Sequence, residues 1–433
     1  MTINVKSAFG WINRDGKLLI LSLGIRSFAQ SSASLILALY LDKLGYGLVE
    51  IGAFLSAGVA GSAVFTFIVS LFAEKVGRRR LMIFFAALTG VAGLAMVFVN
   101  SFVPLLFIAF FGNVGAGGIS PAAPLEQASL SDTAPSVKRT ELFAFYRIAG
   151  LAGTALGALL AGLPPLLQSQ FSLTEVNSFK AMYVAFSILL VAAAFLYALL
   201  SPAIEVSHTQ QNWSNPLKLP SRRLIFTLTG LFALDAFAGS LFMQSLASYW
   251  FYTKFGLTLK DLSLVFFFSN ALAAVSLWVA AKLGNWLGLI NTMVFTHIPS
   301  SLFLIAAVFT PHAGLVVVFW QLRAFFSMMD VPTRDSYIMS MVQPQERVAI
   351  AGINTVGRSA TGTVAPVVAT ALWQAFSATV PIVGCAVLKI TYDLSLYAMF
   401  RNVKTPQEME QSQRKSSFSR KAASTAAEES GKR

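Results

Sequence analysis

The chain has 433 residues, of which 56% are hydrophobic and 12% charged, and its formal net charge is +13. With 37 phenylalanines and a mean hydropathy of +0.67, it is too apolar to be dissolved in water as two or three domains, so its solvent is lipid and its length counts membrane spans. The basic residues are scattered among apolar runs and form no groove interleaved with aromatics, which argues against nucleic acid as a partner and leaves membrane lipid and a topological reading of the charge.

Residues 1–17 are polar, carry Lys6, Arg14 and Lys17, and read as a cytoplasmic N-terminus. The apolar run that follows is too long for a signal-peptide core and lacks a cleavage-like end, so it is read as an uncleaved first span. A helix needs about 20 apolar residues to cross about 30 Å of hydrocarbon. Such runs begin near Leu18, Leu48, Leu81, Phe102, Leu142, Phe179, Leu224, Leu262, Thr292, Gly314, Val348 and Thr379. Turn and charge signals separate them, as at Asp42-Lys43-Leu44-Gly45, Pro164-Pro165, Ser201-Pro202 and Pro311-His312. The first six runs make an N-terminal half over 18–201, a polar cytoplasmic loop occupies 202–222, and six more make a C-terminal half over 223–402. From 403 to 433 the chain is rich in Ser, Gln, Lys and Glu and is predicted to be a disordered cytoplasmic tail.

An even number of spans puts both termini on one side. On that side fall Lys75, Arg78, Arg79, Arg80, Lys138, Arg139, Lys282, Arg347 and the basic residues of the central loop and both ends, against Lys43, Lys180, Lys254 and Lys260 on the other. This bias predicts cytoplasmic termini in a multi-pass protein of the cell membrane. The triplet Asn212-Trp213-Ser214 would then be an unused glycosylation signal. The single Cys385 excludes a disulfide framework. His208, His297 and His312 lie in the central loop, the ninth span and an outer loop, with no His/Cys cluster for a metal and no nucleophile-base set for an enzyme.

A shift of 211 residues aligns Lys43-Leu44-Gly45 with Lys254-Phe255-Gly256, Glu50 with Asp261, and Gly77 with Gly288; a shift of 208 aligns Pro124 with Pro332 and Arg139 with Arg347. These anchors sit at equivalent loops and helix ends and read as a duplication. The expected fold is all-α: twelve transmembrane helices in two pseudo-symmetric six-helix bundles around a central cavity, with binding near the midplane.

The connector between the second and third spans reads Ser70-Leu71-Phe72-Ala73-Glu74-Lys75-Val76-Gly77-Arg78-Arg79-Arg80. It resembles the signature loop of the major facilitator superfamily, Gly-x-x-x-Asp-Arg/Lys-x-Gly-Arg-Arg-Arg/Lys, with Ser70 for the first Gly and Glu74 for Asp. The resemblance covers residues 18–402 and extends to a drug-efflux-like branch, mostly of unassigned substrate, through Met329-Asp330-Val331-Pro332-Thr333-Arg334 and Lys389-Ile390-Thr391-Tyr392-Asp393. It implies a cytoplasmic conformational latch in which Glu74, Gly77, Arg78, Arg79 and Arg80 hold the two halves together in one state. Glu126 and Arg147 sit near cytoplasmic helix ends and read as latch or anchor, and Glu126 and Arg334 are assigned to the same latch. The second-half loop, Gly284-Asn285-Trp286-Leu287-Gly288-Leu289-Ile290-Asn291, keeps the glycine and loses the charges. In the fifth span Gly150, Gly153, Gly157 and Gly162 lack the Gly-Pro step of the antiporter motif and suit close helix packing.

At 1.5 Å per residue Arg26 lies roughly 13 Å beyond Lys17 and Asp235 roughly 18 Å beyond Arg223, while Arg323 and Arg358 are each about 16 Å in from His312 and Arg347. An ion at that depth costs on the order of 3 kcal/mol on insertion scales, so these four should face water, solute or each other. The family plan, in which spans 1, 4, 7 and 10 line the cavity, implies that Arg26, Asp235 and Arg323 do so. The substrate and proton pathway is therefore assigned to Arg26, Gln30, Asp235, Arg323, Asp330 and Arg358. Asp330 and Arg334 are one turn apart and can pair, which leaves Arg323 seeking another anion, either Asp235 or a solute. Lys389 and Asp393, also one turn apart, are assigned to a structural ion pair. Asp235 is the candidate proton-coupling acid, where proton and substrate compete.

These readings converge on a secondary active transporter of a small organic solute, working by alternating access as a monomer and driven by a proton gradient with no other cofactor. The resemblance implies proton-coupled efflux. The excess of Arg26, Arg323 and Arg358 over Asp235 favours the alternative, uptake or exchange of an organic anion. A membrane enzyme or a ligand-sensing receptor is the remaining class.

Overall fold

The computed structural model describes residues 11–114, 120–133, 139–205, 221–341 and 347–402. The tail from 403 and the triplet at Asn212 lie outside the described residues. Twelve crossings run in chain order: α1 (Arg14–Lys43), α2 (Leu48–Val76), α3 (Arg78–Phe98), α4 in two pieces (α4a, Phe102–Gly112; α4b, Ala123–Asp132), α5 (α5a, Arg139–Leu160; α5b, Pro164–Phe171) and α6 (Glu175–Ala198). The second six are α7 (α7a, Arg222–Leu241; α7b, Gln244–Phe255), α8 (Leu259–Leu287), α9 (Leu289–Phe309), α10 (α10a, Ala313–Ser327; α10b, Asp330–Met341), α11 (Arg347–Ala375) and α12 (Thr379–Phe400). Among the described residues nine spans are long and apolar enough to cross a membrane. The other three are α4 and α10, which are broken, and α11, which carries Asn354, Arg358, Thr361 and Thr363. α4a ends on Asn113 in the left-handed region, φ 55°, and α5 breaks at Pro164-Pro165, where the missing N–H ends the ladder.

The repeat is carved into the backbone. α2 and α8 each have 29 residues, and α3 and α9 each have 21. The turns entering and leaving α2 use Gly45 and Gly77 at φ 92° and 99°; those around α8 use Gly256 and Gly288 at φ 64° and 86°. Side chains pay a steric penalty in that region and glycine does not, so the spacing of these glycines fixes where each half turns. Glu50 accepts a hydrogen bond from Gly47 N at 2.7 Å, and Asp261 accepts one from Thr258 N at 3.0 Å, each opening its helix. Within the halves α1 packs on α5 and α6, α3 on α6, and α2 on α4; their repeats α7 on α11 and α12, α9 on α12, and α8 on α10 match pair for pair. A Cβ at Gly153 or Gly157 would lie 2.3 or 2.1 Å from the α1 carbonyls of Gly24 or Phe28, so those glycines let α5 touch the α1 backbone.

Between the halves, α2 meets α11, α5 meets α8, and α1 meets α7b. The hydrogen-bonded contacts lie on the side away from the termini. Ser34 and Ser245 hydroxyls pair at 3.0 Å, Ser248 donates to the Leu35 carbonyl at 2.8 Å, and the Tyr249 hydroxyl donates to Asp42 at 2.8 Å. Val367 N donates to Ser56 at 3.2 Å. On α1 every residue from Ala29 to Leu41 is buried, while toward the terminus only Asp15, Gly16, Leu19, Ser22 and Arg26 are, one stripe of the helix. One apolar core joins both halves on the far side; on the terminus side two separate cores form, one around Met82 and Tyr197 in the first half and one around Phe232 and Tyr337 in the second. The two bundles therefore close on the far side and part toward the termini.

The seam between α2 and α11 has no room at Gly52, where a Cβ would lie 1.9 Å from Thr370 Oγ1 and 2.8 Å from the Pro366 carbonyl. Gly52→Val should destabilise the closed seam by about 1–3 kcal/mol. In a Cys385→Ala background this should raise labelling of Ser245→Cys by a membrane-impermeant maleimide by roughly an order of magnitude; an unchanged rate would show that the seam tolerates the added bulk.

Candidate functional site

In the first half the interior charge is closed on itself. Arg26 of α1 donates to Glu126 of α4b at 2.7 Å, with both side chains buried. The Tyr146 and Tyr197 hydroxyls, from α5 and α6, also donate to the Glu126 carboxylate. A desolvated carboxylate with three donors from three other helices is a tie, as buried ions require. α4 is interrupted after Gly112 and the described helix resumes at Ala123, from which Glu126 reaches α1 and, in this conformation, occupies Arg26. Gln30 is buried one turn further along α1.

The second half gathers charges from five helices. Asp235 Oδ1 of α7a accepts a hydrogen bond from Lys389 of α12 at 2.8 Å, while Oδ2 faces Arg334 of α10b at 3.3 Å and Arg358 of α11 at 3.5 Å. Arg334 also donates to Asp330 at 3.0 Å. His297 of α9 lies with Nε2 3.2 Å from Lys389 Nζ and Nδ1 3.0 Å from both oxygens of Asp393. An ammonium has donors only, so Nε2 accepts, and Nδ1 carries the proton it donates to Asp393. Lys389 and Asp393 therefore do not form the direct pair expected one turn apart on α12: the ammonium turns to Asp235 and the imidazole stands between the two. In this conformation Arg334 joins the same interior cluster through Asp235 and Asp330. Arg323 finds neither Asp235 nor another carboxylate; its guanidinium lies 4.5 Å from the Trp320 ring centroid, a cation–π contact.

The two halves carry the same device with reversed sign. Glu126 and Arg334 are equivalent under the 208-residue shift, each two residues after a proline, Pro124 or Pro332. Each pairs with the first helix of its own half, Glu126 with Arg26 and Arg334 with Asp235.

The connector between α2 and α3 turns at Gly77, where a Cβ would lie 2.9 Å from Glu205 Oε1. Glu205, in a one-turn 3-10 helix at Pro202–Glu205, accepts from the backbone N–H of Arg78 at 2.7 Å and of Arg79 at 3.1 Å. It thus caps the open donors of α3. Arg78 pairs with Asp132 at 2.9 Å, Arg79 donates to the Ala198 carbonyl, and Arg80 is exposed. In this conformation the bonds of Arg78 and Arg79 stay inside the first half, because on this side the halves stand apart, so a clamp between the halves is not engaged by these two residues. The Glu74 side chain lies outside the described residues.

His297, Tyr146, Tyr197, Asp132 and Glu205 were not singled out in the sequence. His297 had a usable signal, as the one histidine inside a span; the tyrosines and the capping Glu205 had none, because their partners are 20 to 127 residues away. Removing one member of the buried first-half pair should cost about 3–5 kcal/mol and removing both much less. Thermal midpoints in detergent of Arg26→Met, Glu126→Gln and the double variant should show that non-additivity; additive losses would mean the two do not act as a pair.

Comparisons with known proteins agree with this architecture. An uncharacterized membrane protein of Saccharomyces cerevisiae, YJR124C, is 24% identical over 430 residues, covering 91% of this chain and 96% of that one. Among solved structures, a bacterial homolog of the human lysosomal transporter Spinster, inward-facing and unoccupied, superposes with a TM-score of 0.71 at 14% identity over 90% of this chain and 98% of that one. The nucleoside transporter NupG gives 0.71 at 13% over 90% and 99%, and a D-xylose-proton symporter 0.68 at 12% over 88% and 97%. At such identities the likeness is one of fold. The sequence profile of the Major Facilitator Superfamily matches residues 19–366, and with twelve crossings in two repeated halves that part on the terminus side, the chain belongs to that superfamily.

Proposed function

We propose that this protein is a proton-coupled secondary transporter that carries a small organic solute across the cell membrane by alternating access, as a monomer, with its termini in the cytoplasm. The observation that carries the reading is Asp235: a buried carboxylate midway along α7, touched by cations from α10b, α11 and α12. A charge at that depth is expensive unless it is paired or serves a path, and one acid shared by three cations is poised to change partners when it takes up a proton. With the termini cytoplasmic, as the distribution of Lys and Arg favours, the described conformation is open inward. Whether the driven direction is efflux, as the resemblance implies, or uptake depends on the sign of the coupling between proton and solute at Asp235.

In proteoliposomes with an imposed proton gradient and a mixed solute panel, the protein should accumulate or expel at least one solute in a protonophore-sensitive way. Asp235→Asn should abolish gradient-driven accumulation and keep solute counterflow. Proton-driven flux untouched in that variant, or no flux of any solute, would overturn the reading.

Alternating access also requires the far-side seam to open. Ser34→Cys with Ser245→Cys, whose parent hydroxyls are 3.0 Å apart, should cross-link under mild oxidation, stop counterflow, and recover it on reduction. Full flux through the cross-linked protein would exclude a rocking motion about this seam.

A further inference from the structure

We infer that the cluster around Asp235 is a binding site for a small organic monoanion, carboxylate or phosphate ester, that binds together with a proton on Asp235, so that anion and proton travel in the same direction. The inference rests on the proposed transport function and adds to it the substrate class and the sign of coupling.

The argument follows which cation depends on which acid. The groups facing Asp235 are Lys389, Cys385 and Tyr392 of α12, Arg334 with Asp330 of α10b, Arg358 of α11 and His297 of α9. Arg334 has a second carboxylate in Asp330 at 3.0 Å, and Lys389 has a second partner in His297 at 3.2 Å. Among the described residues Arg358 has an ion-pair contact with Asp235 alone, its Nη1 3.5 Å from Oδ2, beyond a good hydrogen bond, and that buried nitrogen has no hydrogen-bond partner; Asp330 acts on it only from further away and is already paired with Arg334. Arg323 has no carboxylate partner among the described residues and lies against the face of Trp320. Four cations thus share this interior with three acids, Asp235, Asp330 and Asp393.

Protonating Asp235 removes the only carboxylate in ion-pair contact with Arg358 among the described residues, while leaving Arg334 and Lys389 with their second partners. Arg358 is then a guanidinium in a low-dielectric wall with only the more distant Asp330, shared with Arg334, to offset it, and with Arg334 close enough to repel it. Its side chain is 30% exposed, the most open of the groups around Asp235. A guanidinium fork presents paired donors that fit a carboxylate or phosphate, and an anion placed there replaces the charge that Asp235 gave up. While Asp235 is ionised it occupies that role itself and repels the anion. Proton and anion therefore favour each other, and by linkage the preference is mutual. A cationic solute would show the opposite coupling, competing with the proton as in exchange-driven efflux. One proton with one monoanion moves no net charge.

The test is binding and flux with acetate, lactate, benzoate and inorganic phosphate, with tetraphenylphosphonium as the cationic probe, on the full-length protein. Between pH 8 and 6 the affinity for at least one of the anions should rise by up to about tenfold per pH unit, the limit for one linked proton. Asp235→Asn, which mimics the protonated acid, should bind that anion tightly at every pH and exchange it without the proton. Arg358→Gln should lose binding at least tenfold, with Arg358→Lys recovering part of it; the thermal midpoint of each variant without ligand separates misfolding from loss of the site. Uptake of a monocarboxylate driven by a pH gradient should be insensitive to a potassium–valinomycin potential. Anion affinity that is flat or falls as pH falls, Asp235→Asn that weakens the anion, or transport of tetraphenylphosphonium against protons with no anion bound would overturn the inference while leaving secondary transport in place. Absence of flux for every solute would remove both.

Discussion

An ionised side chain in the middle of a bilayer has to be answered by another charge, and in this protein Asp235 answers three. Every helix that bears on the site is positioned by that requirement. α7a brings the acid, α11 and α12 bring Arg358 and Lys389, and the break in α10 at Met328-Met329 starts α10b on Asp330, one turn from Arg334. Pairwise, each contact alone would be an ordinary buried ion pair, whose desolvation cost offsets much of its attraction. Shared by one carboxylate, they become a set in which changing a single proton alters the partner of every member. That is a property a static tie between helices does not need.

Duplication explains why the second half can afford such a cluster. The first half has the same backbone plan and an ion pair at the same place, but there the carboxylate, Glu126, sits on the fourth span, held by Arg26 and two tyrosines. The second half reverses the sign and puts the acid on α7 and the arginine on α10b, then adds Arg358 and Lys389 around it. One half is a rigid wall and the other a titratable one. Pseudo-symmetry of the helices therefore says little about symmetry of the chemistry, which is set by a few side chains on a common frame.

The frame was legible in the sequence because its signals are local. Apolar runs of the right length, the basic loops, and glycines repeating at a shift of 211 residues each report on a neighbourhood of the chain, and the left-handed turns at Gly45, Gly77, Gly256 and Gly288 are where that spacing places them. The depth of Arg26, Asp235, Arg323 and Arg358 was legible for the same reason, since helical rise converts position into depth. Partners were not. Lys389 and Asp393 are one turn apart, yet the ammonium reaches Asp235, 154 residues away, because His297 from α9 fills the space beside Asp393. Glu126 and Arg334 read as helix-end residues because the chain hides the breaks in α4 and α10 that carry them inward. What a helix faces depends on its rotation against neighbours, and that is fixed by packing, not by the period of the sequence alone.

The balance of contact energies indicates how such a molecule moves. Within the halves the ties are ionic, buried and multiple, and breaking one by removing a partner costs about 3–5 kcal/mol. Across the far-side seam the hydrogen bonds are few: Ser34 with Ser245, Ser248 with a carbonyl, a backbone N–H with Ser56, and a single charged one from Tyr249 to Asp42. Neutral bonds of this kind contribute about 0.5–1.5 kcal/mol each, so the polar part of the seam is worth a few kcal/mol, and the rest of its closure is the apolar core that joins the halves there. Among the described residues no buried ion pair crosses it, so parting the halves there strands no charge, whereas parting a bundle would. Asp235 lies on α7, and α7 is also the helix whose far end, from Ser245 to Tyr249, holds the seam. The break between Leu241 and Gln244 lies between these two ends, so a change in the partners of Asp235 has one helix, with one joint, through which to reach the contacts that must part.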